Sequence, residues 1–164
     1  MNTYSTSNFS KDGVPNLLPN FQMKPSFDGD SFNLDLWDST MGGEFDRLRT
    51  NSYNQADFFL LCFSMVDPAS FDSITTKWLP EVQFHAPYAK CVLVGLKLDA
   101  RMMGQESIPS EKAYELSNKI GAVKYIECSS LTQMNTKELF EDIMRINKEN
   151  PREIFIKKQG CTLL

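Results

Sequence analysis

Residues 57–65 read DFFLLCFSM and residues 90–96 read KCVLVGL, and these two stretches decide the fold class. Each is a short, continuous apolar run, which is typical of a strand that is covered on both faces. Residues 123–128, VKYIEC, form a third and weaker run of the same kind. Because helical patterns alternate with these runs, the sequence predicts an α/β domain whose sheet is mostly parallel.

The helical patterns occupy four segments, which are residues 69–76, 78–86, 110–120 and 135–148. We expect the first two to be separate pieces that break near Pro80. The third begins at Ser110 and stops at Gly121, since serine favours helix starts and glycine favours helix ends. The fourth begins at Asn135 with an Asn-x-x-Glu pattern, which is similar to a capping box.

A hairpin is predicted ahead of the first apolar strand. Residues 22–27 and 31–37 flank Asp28-Gly29-Asp30, and an Asp-Gly pair between such runs is a strong hairpin signal. Residues 1–19 are rich in Ser, Asn and Pro and lack periodicity, so they are interpreted as loop.

Composition excludes several classes of protein. The 164 residues suit one domain, and a net charge of −4 argues against a broad nucleic-acid surface. No apolar run approaches the roughly 20 residues of a membrane span. The sole histidine, His85, excludes a histidine-rich metal site. Cys62, Cys91 and Cys128 lie in apolar runs and are interpreted as buried free thiols.

Three motifs follow the predicted strands, where ligand loops of α/β sheets lie. They are LWDSTMGGEFDRLR at residues 36–49, LKLD at residues 96–99 and CSS at residues 128–130. An aspartate two positions after a lysine can accept hydrogen bonds from the N1–H and the exocyclic amine of guanine, while the lysine stem packs over the base. A Ser-Ser turn can offer backbone N–H groups to the guanine oxygen.

These motifs resemble the guanine-nucleotide-binding segments of Ras-like small GTPases. PASFDSITTKWLPEV at residues 68–82, IGAVKYIECSSLTQ at residues 120–133 and the CTLL end look specifically like the Rho/Rac branch. The resemblance runs from about Tyr4 to Leu164. It implies a Ras-like P-loop GTPase fold with helices on both faces of the sheet, binding of GTP and GDP, and a switching role in signalling to the actin cytoskeleton.

The resemblance assigns roles residue by residue. Phe9 matches an aromatic residue that packs against the base, and Asp38 matches the acidic residue that holds Mg²⁺ through water. The pair that reads the base matches Lys97 and Asp99, and the loop beneath the base matches Ser129 and Ser130. The switch and effector-contacting region matches Val14, Pro15, Asn16, Leu17, Leu18, Asn20 and Phe21.

The sequence departs from the family pattern at the phosphate site. No G-x-x-x-x-G-K-[ST] loop occurs, so residues 1–150 are expected to be an incomplete small GTPase domain that lacks the family's first strand, phosphate loop and first helix. Asn16 replaces a Mg²⁺-binding Thr, Met41 replaces a Gly, and Gly42 stands at the position of the water-orienting Gln. No catalytic residue is intact, and we expect weak nucleotide affinity and no hydrolysis.

Loss of that strand has a structural consequence. In the family it lies between the hairpin and the strand of residues 57–65. Two inner edges are therefore expected to be unpaired or to form a new pairing.

Residues 151–164 are interpreted as a tail with a prenylation motif. Cys161-Thr162-Leu163-Leu164 fits C-a-a-X, and a terminal Leu favours geranylgeranyl. The basic residues beside it are few, so we expect residence on the cytoplasmic face of the cell membrane with a cytosolic pool. The expected partners are effectors and regulators of Rho-type GTPases.

A second hypothesis stays open. Under this hypothesis, the chain is a nucleotide-independent, prenylated interaction module, or the product of a truncated gene.

The helix-face acids Asp67, Asp72 and Glu81 are interpreted as solvated, not as an acid–base pair.

Overall fold

The computed structural model describes residues 20–38 and 46–151. The predicted hairpin is confirmed. Strand β1 (Asn20–Met23) pairs antiparallel with β4 (Leu34–Trp37), and the short strands β2 (Ser26–Phe27) and β3 (Asp30–Ser31) continue the hairpin to its turn.

The turn has the backbone that an Asp-Gly pair favours. Asp28 and Gly29 have φ of 51° and 79°, the positive values that a type I′ turn requires. The ammonium of Lys148 lies 2.8 Å from the Asp28 carboxylate and 2.7 Å from that of Asp30. This contact connects the tip of the hairpin to the last helix of the domain.

The central sheet is parallel, as predicted. Strand β5 (Phe58–Ser64) pairs with β6 (Lys90–Leu96), and β6 pairs with β7 (Lys124–Glu127). The middle strand is the most deeply buried, with Val92, Leu93 and Val94 fully inaccessible to solvent.

The helices have the following bounds: α1 (Asp46–Tyr53), α2 (Pro68–Ser73), α3 (Leu79–His85), α4 (Leu98–Met102), α5 (Ser110–Lys119) and α6 (Thr136–Glu149). Two apolar clusters form between these helices and the sheet. One cluster packs Phe71, Ile74 and Ala113 against one face, and the other packs Phe140 and Ile143 against the opposite face. The expectation of helices on both faces is therefore confirmed. None of the helices in the described ranges is long and apolar enough to cross a bilayer.

The predicted break at Pro80 is wrong. A π-helical turn at Ile74–Trp78 joins α2 to α3, and the Leu79 N–H donates to the Ile74 carbonyl across it. Pro80 then occupies the first turn of α3, where a missing N–H costs little. The widened turn lets the chain continue through the proline without a break.

The two sheets share no hydrogen-bonded ladder in the part of the chain that the structure describes. One prediction about β5 is wrong, however, because Cys62 is exposed, whereas Cys91 is half-buried and Cys128 is buried. Leu61 and Phe63 on either side of Cys62 are buried against one core, and Phe58 and Leu60, on the same side of the strand as Cys62, are half-buried against the other.

Candidate functional site

The loops that follow β6 and β7 meet at one corner of the sheet. The Ser129 hydroxyl donates to Asp99 Oδ1 at 2.5 Å, and the Leu98 N–H donates to the Cys128 carbonyl at 3.2 Å. Parallel strands end at the same edge of a sheet, which is why residues thirty positions apart come into contact. We call the group Lys97, Asp99, Ser129 and Ser130 the base-reading corner.

Lys97 has a left-handed backbone, with φ of 61° and ψ of 41°. This conformation costs a residue with a side chain roughly 1–2 kcal/mol, so the surrounding structure must impose it. The buried neighbours Leu98 and Ala100 fix the chain on the far side of Lys97. The turn leaves the Lys97 side chain exposed beside Asp99.

Asp99 is oriented by the protein before any ligand binds. Its Oδ1 accepts the Ser129 hydroxyl, while Oδ2 has no hydrogen-bond partner among the described residues. Asp99 is half-buried, and Ser129 is completely inaccessible to solvent. A carboxylate held in this way can offer two acceptors in one plane to a donor pair such as that of guanine.

The prediction that both serines offer N–H groups needs correction. The Ser129 N–H donates to the Met134 carbonyl at 3.0 Å, and its hydroxyl also accepts the Thr132 N–H at 3.1 Å. Ser129 therefore shapes the loop and orients Asp99. Within residues 46–151, the Ser130 N–H makes no hydrogen bond and is the one of the pair available to a ligand.

The predicted capping box at Asn135 is wrong. Asn135 has φ of 56° and makes no side-chain cap of α6. Its Nδ2 donates instead to the Glu127 carbonyl at 2.8 Å, and this bond connects the loop before α6 to the end of β7. Asparagine tolerates a left-handed backbone, and its short amide reaches a neighbouring strand, so the same residue type serves a different purpose.

Arg101 and Glu127 form an ion pair that no sequence pattern indicated. Arg101 donates to both carboxylate oxygens of Glu127, at 3.0 and 2.5 Å, and also to the Ser110 hydroxyl at 2.5 Å. The Tyr125 hydroxyl donates to the same carboxylate at 2.6 Å. These bonds join α4, β7 and α5. No local pattern links an arginine to a glutamate 26 positions away.

Electrostatics at this pair favour the charged form of Glu127. Burial acts to raise its pKa, but hydrogen bonds from Ser110, Tyr125 and Arg101, together with the charge of Arg101, outweigh burial and hold the pKa below its usual value. The pKa of Tyr125 is raised, first by burial and then by its bond to Glu127.

A family model of the Ras family matches residues 1–149. The chain belongs to the Ras family. Ras-family proteins are small GTP-binding proteins that bind GTP and GDP together with Mg²⁺ and interact with regulators and effectors.

The fit of this Ras-family chain to Mg²⁺ is poor among the described residues. Asp38 follows β4 and is half-buried. No group of three or more His, Cys, Asp or Glu side chains that could hold a metal occurs in residues 20–38 and 46–151. Within the described residues, Asp38 alone does not form a metal site.

The remaining predicted residues are distributed as follows. The Asn20 backbone pairs with that of Trp37, and the half-buried Phe21 packs against the α6 core. The others lie outside the described residues, and these are Phe9, Val14, Pro15, Asn16, Leu17, Leu18, Met41, Gly42 and Cys161.

The interpretation of Glu81 as a solvated residue is wrong. Arg49 donates to both of its carboxylate oxygens, at 3.0 and 2.7 Å, and the Tyr53 hydroxyl donates to it at 2.7 Å. Asp67 is exposed but caps α2 by accepting the Ala69 N–H. Neither carboxylate lies in the base-reading corner.

Proposed function

We propose that this Ras-family chain is a Rho/Rac-branch signalling protein that recognises guanine and does not hydrolyse GTP. The observation that carries the proposal is the Asp99 carboxylate, which the buried Ser129 hydroxyl holds beside the exposed Lys97. The sequence similarity of residues 68–82 and 120–133 to the Rho/Rac branch supports the assignment of branch and the link to actin regulation.

Recognition of the base rests on three groups. Asp99 accepts the N1–H and the exocyclic amine of guanine, and Ser129 keeps the carboxylate in the plane that this contact requires. The Ser130 N–H donates to the guanine oxygen. The methylene stem of Lys97 covers the face of the ring, while its ammonium stays in water.

Affinity is expected to be weak because the phosphates lack their usual partners. No G-x-x-x-x-G-K-[ST] loop occurs in the 164 residues, so neither its N–H groups nor its lysine can offset phosphate charge. GDP and guanosine should therefore bind with similar, poor affinity.

Calorimetric titration tests this proposal. Asp99→Ala should weaken guanosine binding at least tenfold, because two hydrogen bonds to the base are lost. Glu106→Ala is the matched control, since Glu106 is an exposed acid on the loop after α4 and should leave binding unchanged. Tight GDP binding that depends strongly on Mg²⁺ would contradict the proposal.

Absence of hydrolysis is a separate part of the proposal. Asn16, Met41 and Gly42 occupy the positions of the Mg²⁺-binding Thr, the phosphate-facing Gly and the water-orienting Gln. We expect the purified chain to release no phosphate from GTP above the buffer rate. Release at a rate typical of intact small GTPases, and abolished by Asp38→Ala, would overturn this part.

The branch assignment predicts the type of partner. Effectors and regulators of Rho-type GTPases should bind this chain in preference to those of other Ras-family branches. Binding of purified Rho-type effector domains and of matched effector domains from another branch, measured side by side, tests it. Equal or absent binding of both sets would argue against the Rho/Rac branch.

Membrane residence through Cys161 completes the proposal. A geranylgeranyl group on Cys161 adds about 0.8 kcal/mol of membrane affinity per buried CH₂ and places the chain on the cytoplasmic face of the cell membrane, with a cytosolic pool. Cys161→Ser should move the protein to the soluble fraction, whereas Cys91→Ser should not. An intact mass without the lipid, from a eukaryotic host, would refute it.

A nucleotide-independent, prenylated interaction module is the second candidate. The substitutions at Asn16, Met41 and Gly42 favour it, because they remove phosphate-sensing groups while leaving the apolar cores intact. The same titration discriminates the two candidates, since this module should bind guanosine no better than adenosine. Partner binding would then be the same with and without nucleotide.

A further inference from the structure

A cavity of about 260 Å³ lies at the amino end of β6, between α3 and the end of α5. Val82 of α3 is buried at its wall, and Leu79, Cys91 and Ile120 beside it are half-buried. All four belong to the apolar cluster on that face of the sheet, so the cavity is an open margin of this core. Of the described residues that line it, Lys90 alone is charged.

The cavity and the base-reading corner lie at opposite ends of β6. Lys90 and Cys91, which line the cavity, are the first two residues of the strand, whereas Lys97 follows its last residue. A group bound in the cavity would not touch Asp99. Binding there is therefore independent of the proposed recognition of guanine.

The size and lining of the cavity favour an aromatic side chain together with an aliphatic neighbour. An apolar cavity of about 150 Å³ is enough to hold benzene. At about 260 Å³, this cavity has room for a phenyl ring and part of a second apolar side chain. Water finds few hydrogen-bond partners against such a lining, so an apolar side chain that displaces it would bind favourably.

The last helix of the domain ends beside this cavity. Helix α6 stops at Glu149, and the Lys90 ammonium donates to the Asn150 carbonyl. Pro151 follows and cannot continue the helix. Lys90 thus connects the lining of the cavity to the end of α6.

Residues 152–164 lie outside the described residues, and their sequence is REIFIKKQGCTLL. Ile154-Phe155-Ile156 is the first apolar run in this stretch, and charged residues flank it on both sides. Ile154 follows Asn150 by four positions, which an extended chain spans with at most about 13–14 Å. The run is therefore within reach of a cavity whose lining residue Lys90 already contacts Asn150.

We propose that the cavity binds the chain's own segment Ile154-Phe155-Ile156, with the Phe155 ring between α3 and the end of α5. Burial of the ring and of one isoleucine supplies the free energy of docking. The tail is then held at the end of the sheet that is opposite the base-reading corner.

The tether favours the chain's own segment over the same segment of a second copy. A short flexible linker holds the run near the cavity at an effective concentration of the order of millimolar. A second copy at micromolar concentration competes with this at a large disadvantage. A segment of another protein would have to displace the same tethered competitor.

Alkylation of Cys91 in the full chain without lipid tests the proposal, because this thiol lines the cavity. Modification by iodoacetamide is followed by mass spectrometry. The rate at Cys91 is divided by the rate at the buried Cys128, so that any general opening of the domain cancels. Ile154→Ser, Phe155→Ser and Ile156→Ser together should raise this ratio at least fivefold, since the cavity is then uncovered.

A second variant of the same tail is the matched control. Leu163→Ser with Leu164→Ser also removes apolar side chains, and it should leave the ratio unchanged. The ratio in the parent chain should also stay constant on tenfold dilution of the protein.

Three results would overturn the proposal. Equal ratios in the parent and the triple variant would mean that the run does not cover the cavity. An equal rise in the triple variant and the control would mean that the protection does not depend on this run. A ratio that rises on dilution of the parent would mean that a second copy supplies the cover.

Discussion

The base-reading corner and the outward edge of β5, formed by Phe58, Leu60 and Cys62, belong to one sheet, but their polar groups are bonded differently. At the corner, backbone and side-chain bonds join the loops after β6 and β7, and Arg101 of α4 bonds Glu127 of β7. At the outward edge of β5, the Ser70 hydroxyl accepts the Ser64 N–H, whereas the backbone groups of Phe58, Leu60 and Cys62 have no hydrogen-bond partner among the described residues.

This difference has a physical basis. A ligand-reading carboxylate must be fixed before the ligand arrives, because ordering it during binding would cost affinity. An exposed strand edge is already ordered by its other neighbour, and its free groups bond to water until another strand replaces that water. Asp99 is thus oriented by the folded chain itself, whereas no described residue bonds the outward backbone groups of Phe58, Leu60 and Cys62.

Proline substitution on β5 should give the largest loss of stability. It tests whether the edge that faces β6 differs from the outward edge. Leu61→Pro removes a ladder bond to β6 and a buried side chain, and should cost more than about 4 kcal/mol, enough to abolish cooperative folding. Leu60→Pro removes an N–H that points outward and should leave the chain folded. Urea denaturation followed by circular dichroism measures both, and equal losses would show that the edge is paired.

Removing the Arg101 side chain should give the second-largest loss of stability. Arg101→Ala leaves the Glu127 carboxylate partly buried without its cation and should lower the free energy of unfolding by about 2–3 kcal/mol. Lys137→Ala is the control, since Lys137 pairs with Glu141 on the surface and should cost under about 0.5 kcal/mol. A similar loss in both variants would mean that the corner is not held by this pair.

Lowering the pH should weaken the ion pair between Arg101 and Glu127 and so lower the free energy of unfolding. Glu127 has a lowered pKa in the folded chain, so its contribution to stability is fully present above its unfolded pKa of about 4.3 and is lost as the pH falls through the folded value. Glu127→Gln should flatten this part of the pH profile of unfolding. An unchanged slope below about pH 4.3 in this variant would exclude Glu127 as the responsible group.

The smallest effect concerns the backbone of Lys97. Lys97→Gly should be more stable than Lys97→Ala by about 0.5–1 kcal/mol, because glycine adopts the left-handed conformation without strain but loses more entropy on folding. Both variants should bind guanosine more weakly than the parent chain, since the stem over the base is lost. Equal stability of the two variants would show that the conformation is unstrained.

Much of the fold could be predicted because the signals are local. The strand at Lys90–Leu96 has the predicted bounds, the Asp28-Gly29 turn lies where the pattern placed it, and Gly121 ends α5 with φ of 67°. Each depends on residues within one element. Pro80 and Asn135 were misinterpreted because a neighbouring π turn and a neighbouring strand changed what those residue types do.

By itself, the sequence determined the succession of strands and helices, the parallel sheet and the positions of Lys97, Asp99 and the serine loop at strand ends. Apolar periodicity and turn residues act over a few positions, so they can be read along the chain. Only the tertiary structure decided that Ser129 orients Asp99, that Arg101 meets Glu127 and that Cys62 is exposed. These outcomes depend on which strands become neighbours, and that is set by the burial of apolar area over the whole domain.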